Sequence, residues 1–139
     1  MPNVVRLFLS ILVVAGAISA AAARAVTPDQ LQAEYAAIAR REAPDFRGFS
    51  PAHGGEFFRS THGNDWSCAT CHTAKPVVQG RHARTGNVLQ PLAPAANAER
   101  LTDPAKVEKW FKRNCGDVLG RACTAQEKGD VIAFLRSLN

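Results

Sequence analysis

The chain has 139 residues, with seventeen lysines and arginines, twelve acidic residues and four cysteines. This length suits one small domain, and the basic excess is too weak and too interspersed with acids to indicate a nucleic-acid-binding protein. It would suit transient docking to an acidic redox partner, although an ordinary solvated surface explains it more simply.

The N-terminus has the pattern of a secretory signal peptide. Arg6 precedes a short apolar run over residues 7–14, which continues into small residues and ends near Ala23-Arg24-Ala25. The strongly apolar part is too short to span a membrane comfortably. We therefore expect residues 1–25 to be removed after export. Residues 26–139 then form one domain of net charge about +3, with no stable membrane insertion.

Capping residues predict the first two helices. Thr27, with Pro28 at the first helical position and Gln30 three residues after the cap, opens a helix that stops at Pro44. A second helix is predicted to begin at Ser50-Pro51, although the pair Gly54-Gly55 weakens it.

The C-terminal half predicts a long loop followed by two helices. Residues 73–102 contain three prolines and no sustained periodicity, which is typical of a functional loop. Asp103-Pro104 opens a third helix, and the capping box at Thr124 opens the last. One stripe of the third helix carries Val107, Trp110, Phe111 and Asn114, and Lys106, Lys109, Lys112 and Arg113 fall opposite it. The predicted fold class is all-α.

The segment Cys68-Ala69-Thr70-Cys71-His72 is the C-x-x-C-H motif of c-type haem attachment. Two thiols three positions apart can form thioethers with the two vinyl groups of one porphyrin. The imidazole that follows can then coordinate the iron from the proximal side. Such haem is attached after export, which agrees with the signal peptide. We predict one covalent haem c on Cys68, Cys71 and His72.

Two other sites could use the same cysteines. A thioredoxin-like dithiol would need a βαβ context, which the sequence lacks. A zinc site built from both cysteine pairs would leave His72 and the export signal unexplained.

The sixth iron position cannot be filled by methionine. Met1 is the chain's only methionine, and it is lost with the predicted signal peptide. Methionine is otherwise the usual second ligand in electron-transfer cytochromes c. A histidine, a lysine, an amide or no protein ligand remains possible. The candidates are His53, expected to be exposed; His62, near the attachment segment; His82, able to swing over the iron; and Lys75 and Lys112, most simply solvated.

Asn114 is the sharper candidate for this position. A carboxamide in an apolar helix face needs a partner, because burying it unpaired costs roughly 1–3 kcal/mol. Ferric iron could be that partner. Alternatively, Asn114 caps the end of its helix before Gly116. Because Gly116 already suits that end, the spacing favours a haem-facing role for Asn114.

The second cysteine pair, Cys115 and Cys123, follows Asn114 directly. An oxidising compartment permits a disulfide, which would hold the third helix to the last and fix Asn114 in position. The alternative is a pair of free buried thiols.

Together these motifs resemble the sphaeroides haem protein family, a group of oxygen-binding class I cytochromes c. The resemblance rests on Cys68 to His72, Thr85-Gly86, Pro91-Leu92-Ala93-Pro94, Lys109 to Cys115, Gly120 to Cys123 and the closing helix. It implies a class I cytochrome c fold, with helices packed around one haem. Trp110 and Asn114 are then expected to line the cofactor.

The resemblance also implies a function. In the family, an asparagine at the position of Asn114 coordinates ferric haem and leaves on reduction. The vacated ferrous iron then binds oxygen, nitric oxide or carbon monoxide. The resemblance further implies a Cys115–Cys123 disulfide. A dihaem cytochrome c and a membrane cytochrome b are the implied electron partners. An amide oxygen is a hard donor that prefers Fe(III), which agrees with this behaviour.

The leading hypothesis is thus a periplasmic monohaem cytochrome that binds a diatomic gas after reduction. The rival is a plain electron carrier with a fixed sixth ligand such as His82. An oxygen or nitric oxide reductase or a peroxidase is a third hypothesis, although the sequence shows no separate acid–base constellation and no second haem motif.

Overall fold

A computed structural model of the protein describes residues 25–139. The predicted signal peptide lies outside the described residues, apart from Ala25. The described chain forms five helices and one two-stranded antiparallel sheet. In chain order they are α1 (Pro28–Glu42), α2 (Pro51–Arg59), α3 (Cys68–His72), β1 (Gly80–Arg81), β2 (Val88–Leu89), α4 (Pro104–Leu119) and α5 (Ala125–Ser137). The prediction of a mainly helical fold is confirmed.

Side-chain caps begin the long helices where the sequence predicted them. The Thr27 hydroxyl accepts the N–H of Gln30, whose side chain accepts the N–H of Thr27 in return. Thr124 and Glu127 form the same reciprocal pair at the start of α5. Each pair satisfies backbone N–H groups that have no partner inside the helix.

α5 is the centre of the hydrophobic core. Every residue of α5 from Gly129 to Leu135 is buried. α1 and α2 pack on this helix, and their most deeply buried side chains are Leu31 and Phe58. These three helices form a bundle that leaves α3 and α4 to carry the candidate site.

The glycine pair that weakened the prediction of α2 has a packing role. A Cβ atom on Gly54 would lie 1.9 Å from the backbone oxygen of Asp130, and one on Gly55 would lie 3.1 Å from the ring of Phe134. Only glycine lets the α2 backbone approach α5 this closely. The gain in packing outweighs the poor helix propensity of the pair.

The segment between α3 and α4 is more ordered than the prediction of a plain loop. Gly80 pairs with Leu89 and Arg81 pairs with Val88 in the β1–β2 hairpin. The Pro76 carbonyl then accepts the N–H groups of both Leu92 and Ala93. Strands of two residues are too short to produce a visible period in the sequence.

α4 extends further than predicted. It continues through Asn114 and Gly116 to Leu119, and Gly120 ends it with a left-handed φ of +68°. The expectation that Gly116 ends the helix is therefore wrong, and so is the alternative in which Asn114 is its C-cap. The capping role belongs to the glycine one turn later. Within residues 25–139, no helix has both the length and the apolar character needed to cross a membrane.

Candidate haem site

The attachment motif forms a helix of a single turn. Ser67 and Thr70 make a capping box that begins α3, with each side chain accepting the other's backbone N–H. The turn places Cys68 and Cys71 one helical repeat apart, so both lie on one face. Both are free, partly buried thiols. His72 is the last residue of this turn.

The environment of His72 keeps its imidazole neutral. Burial lowers the pKa of His72 to about 4, assisted by the positive charge of Arg100 and by His82. The ring lies 6.5 Å, centroid to centroid, from the ring of Phe58, which belongs to the bundle core. A neutral imidazole keeps the nitrogen lone pair that a metal ligand must offer.

The hairpin segment packs tightly against α3. Ala83 N–H donates to Cys71 Sγ at 3.3 Å. A Cβ on Gly80 would lie 2.1 Å from the Cys71 carbonyl oxygen, so only glycine fits there. The hairpin segment thus contacts both the sulfur and the backbone carbonyl of Cys71.

The second cysteine pair has a different state. Cys115 and Cys123 form a disulfide that joins α4 to the start of α5. This bond removes two of the four thiols that a zinc site spanning both pairs would need. Within the described residues, no group of three or more histidines, cysteines or carboxylates could hold a metal ion. The free thiol pair followed by histidine therefore fits a c-type haem, and the disulfide pair does not.

Asn114 lies on the inner face of α4. Phe111, one turn before it, packs against the core cluster, and Val118, one turn after it, is buried. The Asn114 carboxamide is partly buried, and it makes no side-chain hydrogen bond to residues 25–139. Val107, Phe111 and Asn114 thus share the inner face of α4, as the predicted stripe requires.

The structure brings α3 and the inner face of α4 to one core cluster. Cys68 and Phe111 both pack against it. Across the same region, the Asn64 side chain donates to the Val118 carbonyl at 2.8 Å. This bond ties the segment before α3 to the last turn of α4.

Trp110 does not join this cluster. It is 42% exposed, and the Arg113 guanidinium lies 5.6 Å from its ring centroid. A position at 110 falls between the inner and outer faces of α4, because successive residues turn by about 100°. The predicted role of Trp110 beside haem stays a prediction.

The other candidate ligands have separate environments. His62 contacts the Phe57 carbonyl through Nε2 at 2.9 Å, and His82 Nδ1 accepts the Thr85 N–H at 3.2 Å. His53 is exposed, as are Lys75 and Lys112. Within the described chain, none of these side chains lies on the inner face of α4.

Sequence reasoning missed three residues that hold the site together. They are Asn64, which caps the last turn of α4; Arg100, which donates to the carbonyls of Gln90 and Pro91; and Glu108, which accepts the Tyr35 hydroxyl and the Lys128 ammonium. The Asn64 and Tyr35 contacts join segments 54 and 73 positions apart, and the Arg100 contacts span nine and ten positions within a segment without periodicity. No local pattern signals them.

Comparison with known proteins identifies the family. The family model described as Domain of unknown function (DUF1924) matches residues 44–135. The cytochrome c-type protein SHP of Cereibacter sphaeroides is 43% identical over 113 residues, which cover 78% of this chain and 82% of that protein. Cytochrome c'' of Methylophilus methylotrophus is 37% identical over 111 residues, which cover 77% of each. The chain belongs to the DUF1924 family and is a c-type cytochrome with covalently bound haem.

Solved structures agree with this assignment. Oxidised SHP, an oxygen-binding cytochrome c, superposes with a TM-score of 0.71 at 42% identity, covering 80% of this chain and 96% of that one. Oxidised cytochrome c'' gives 0.71 at 35% identity, covering 81% and 94%. The solution structure of cytochrome c'', which concerns haem-ligand detachment in that protein, gives 0.68 at 36% identity, covering 79% and 92%.

Proposed function

We propose that this cytochrome is exported to the periplasm, accepts an electron, and binds a small diatomic gas after Asn114 leaves the reduced iron. Thioethers from Cys68 and Cys71 hold the haem in this proposal, and His72 is the proximal ligand. The bound haem supplies the one-electron chemistry and a sixth coordination position. The observation that carries the proposal is the position of Asn114 on the inner face of α4, half-buried and without a side-chain hydrogen bond to residues 25–139.

The chemistry of Asn114 supports a labile bond. Its amide oxygen is a hard, neutral donor that prefers Fe(III) to Fe(II), so reduction weakens its hold. Met1 is the only methionine and falls within the predicted signal peptide, which leaves no sulfur ligand to compete. Oxygen binding by SHP and the study of haem-ligand detachment in cytochrome c'' support the same behaviour here.

The disulfide and the Asn64 contact support a fixed position for the ligand. Cys115, next to Asn114, is bonded to Cys123, and Val118, one turn on, accepts from Asn64. The α4 backbone around Asn114 is therefore held on both sides. Detachment then requires only a side-chain rotation, which is fast compared with movement of a helix.

The rival hypothesis is an electron carrier with His82 as a fixed ligand. His82 sits in the hairpin that packs on α3, and its Nδ1 already accepts the Thr85 N–H. Reaching the face opposite His72 would require this ring to leave the hairpin. A dihaem cytochrome c donor and a membrane cytochrome b remain the proposed electron partners.

The first test is carbon monoxide binding to the reduced protein at neutral pH. A vacated sixth position predicts a rapid Soret shift on mixing. A low-spin ferrous spectrum that does not respond to the gas would contradict the proposal and favour the fixed-ligand carrier.

The second test assigns the ligand. Asn114→Val is expected to convert the ferric spectrum to high spin, because valine offers no donor atom. Asn87→Val in the exposed hairpin is the matched control and should leave that spectrum unchanged. A low-spin ferric spectrum in Asn114→Val would remove Asn114 from the iron.

A further inference from the structure

Most of the polar and covalent contacts of α4 attach it to the helical bundle. Glu108 accepts the Tyr35 hydroxyl of α1 and the Lys128 ammonium of α5, and the disulfide joins Cys115 to Cys123 at the start of α5. These contacts fix the position of α4 relative to α1 and α5. They do not fix it relative to α3, which carries the attachment motif.

The side chain of Asn64 makes that second connection. Asn64 Nδ2 donates to the Val118 carbonyl at 2.8 Å, and within the described chain this is the one side-chain hydrogen bond between residues 60–102 and α4. Val118 is buried and lies two residues before Gly120, which ends the helix. Carbonyls in the last turn of a helix have no partner inside the helix, so this one depends on an outside donor.

The turn that carries Asn64 is itself held in place. The Asn64 N–H donates to the Thr61 carbonyl at 2.9 Å, and His62 Nε2 lies 2.9 Å from the Phe57 carbonyl oxygen of α2. His62 and Gly63 both have left-handed φ values, +53° and +82°, and they reverse the chain tightly. Because the turn is fixed to α2, a hydrogen bond from Asn64 can constrain α4 rather than follow its movement.

The hydrogen bond connects the beginning of the attachment turn to the end of the helix that carries the proposed iron ligand. Asn64 precedes Ser67, the N-cap of α3, by three residues and Cys68 by four. Its acceptor, Val118, follows Asn114 by four residues, which is about one turn of α4. α4 also packs less extensively on the other helices than α1 and α2 pack on α5. The position of its last turn therefore depends strongly on this single bond.

We propose that Asn64 is a positioning residue, which keeps Asn114 within reach of the ferric iron by holding the last turn of α4 to the attachment segment. Asn64 does not touch the cofactor. The inference rests on the proposed coordination of ferric iron by Asn114. Without the hydrogen bond the last turn can relax away from α3, so the bond from Asn114 to the iron is weakened. The ferrous protein, in which Asn114 has already left the iron, is not affected.

The alternative is that Asn64 only caps the end of α4. A cap stabilises the helix by the same amount in both oxidation states of the iron, because its partner is the helix backbone. A positioning residue acts only in the oxidation state in which Asn114 is bound. Measurements on the ferric and the ferrous protein therefore separate the two roles.

Asn64→Asp keeps the size of the side chain and removes its N–H donor. One hydrogen bond is worth about fivefold in an equilibrium constant, so we expect the ferric protein to bind imidazole about fivefold more tightly, because imidazole must displace Asn114. The midpoint potential should rise by about 40 mV, which is the same change converted at about 59 mV per tenfold. The affinity of the ferrous protein for carbon monoxide should change by less than about twofold.

Two further variants control for charge and for the donor. Asn87→Asp in the exposed hairpin adds the same charge and should leave imidazole binding unchanged. Asn64→Gln retains an amide donor and is expected to bind imidazole less tightly than Asn64→Asp. Equal affinities in Asn64→Gln and Asn64→Asp would assign the effect to side-chain size and overturn the role of the N–H group. All variants are compared as red, haem-bearing protein.

Asn114→Val, which lacks the proposed ligand, is titrated beside these variants. If it binds imidazole tightly while Asn64→Asp binds it like the unchanged protein, the positioning role is overturned and the proposed function stands. If Asn114→Val binds imidazole no more tightly than the unchanged protein, Asn114 is not the ligand and both proposals fail. Equal shifts in the imidazole and carbon monoxide affinities of Asn64→Asp would identify Asn64 as a helix cap alone.

Discussion

α2 contacts α5 through glycine backbone and fully buried side chains. The segment from α3 to β2 is instead held by backbone hydrogen bonds, and its Val78 and Val88 side chains are exposed. In the first region Phe58 and Ile132 are almost completely buried. The second region is held by the hydrogen bond from the Ala83 N–H, by the two that the Pro76 carbonyl accepts, and by the hairpin pairing. The bundle is therefore held mainly by side-chain burial, and the attachment region mainly by backbone hydrogen bonds.

The largest expected effect breaks the bundle. Gly54→Ala places a methyl group 1.9 Å from the Asp130 backbone oxygen, where neither backbone can move without separating α2 from α5. We expect the free energy of unfolding to fall by about 3 kcal/mol, as for overpacked cores. Denaturant unfolding of the haem-bearing protein measures it.

Gly116→Ala is the matched control. A Cβ at this position in α4 meets nothing within 4 Å. Alanine should therefore stabilise the protein by about 0.5–1 kcal/mol through helix propensity alone. Equal losses in both variants would show that close approach is not the reason for glycine in α2.

A second prediction concerns the free energy of unfolding at acidic pH. Burial lowers the pKa of His72 to about 4 in the folded chain, against an ordinary value of 6.5, so the unfolded chain binds the proton first. Its contribution is complete above pH 6.5 and is lost as the pH falls from 6.5 to 4. We expect a loss of about 3 kcal/mol across this window, and the iron bond proposed for the same ring would act in the same direction.

Unfolding curves at intervals between pH 7 and pH 4 test this prediction. Hydrogen bonds from Lys128 and Tyr35 outweigh the opposing effect of burial and hold the pKa of Glu108 below its usual value. Its contribution is therefore lost only at lower pH. A stability profile that is flat down to pH 4.5 would contradict the role given to His72.

The smallest effect concerns the attachment of α4 to the bundle. Glu108 accepts the Tyr35 hydroxyl at 2.9 Å and the Lys128 ammonium at 2.7 Å, and the Lys128 side chain is mostly buried. Glu108→Gln removes the charge, and because Glu108 itself is half exposed we expect a loss of only about 1 kcal/mol. Asp117→Asn breaks the exposed pair with Arg113 and should cost about 0.3 kcal/mol. Equal losses would show that burial of Lys128 does not matter.

The first residues of the helices could be predicted from the sequence, because a capping side chain binds a backbone N–H only three positions away. Thr27, Ser50, Asp103 and Thr124 each cap the helix that was predicted. The end of α4 could not be predicted, because Gly116 and Gly120 can both end a helix. Only tertiary packing selects between them. Gly54 looked unfavourable since its partner, Asp130, lies 76 positions away.

Some features of the candidate site could likewise be predicted from local sequence, and others could not. The spacing of Cys68, Cys71 and His72 has a chemical reason that is local, and α3 presents them as one turn. The hairpin contacts with Cys71 and the Asn64 contact with α4 depend on how separate segments meet. The sequence could indicate the attachment chemistry but not these contacts.

The two cysteine pairs constrain how the protein is assembled. Four cysteines can form two disulfides in three different ways. The structure contains one disulfide, Cys115–Cys123, and leaves Cys68 and Cys71 as free thiols. In the proposed attachment, thioether formation consumes Cys68 and Cys71, so a chain that receives its haem first has only the Cys115–Cys123 bridge left to form. A chain oxidised first must sort its partners by exchange. Early cofactor insertion thus acts as protection against mispairing.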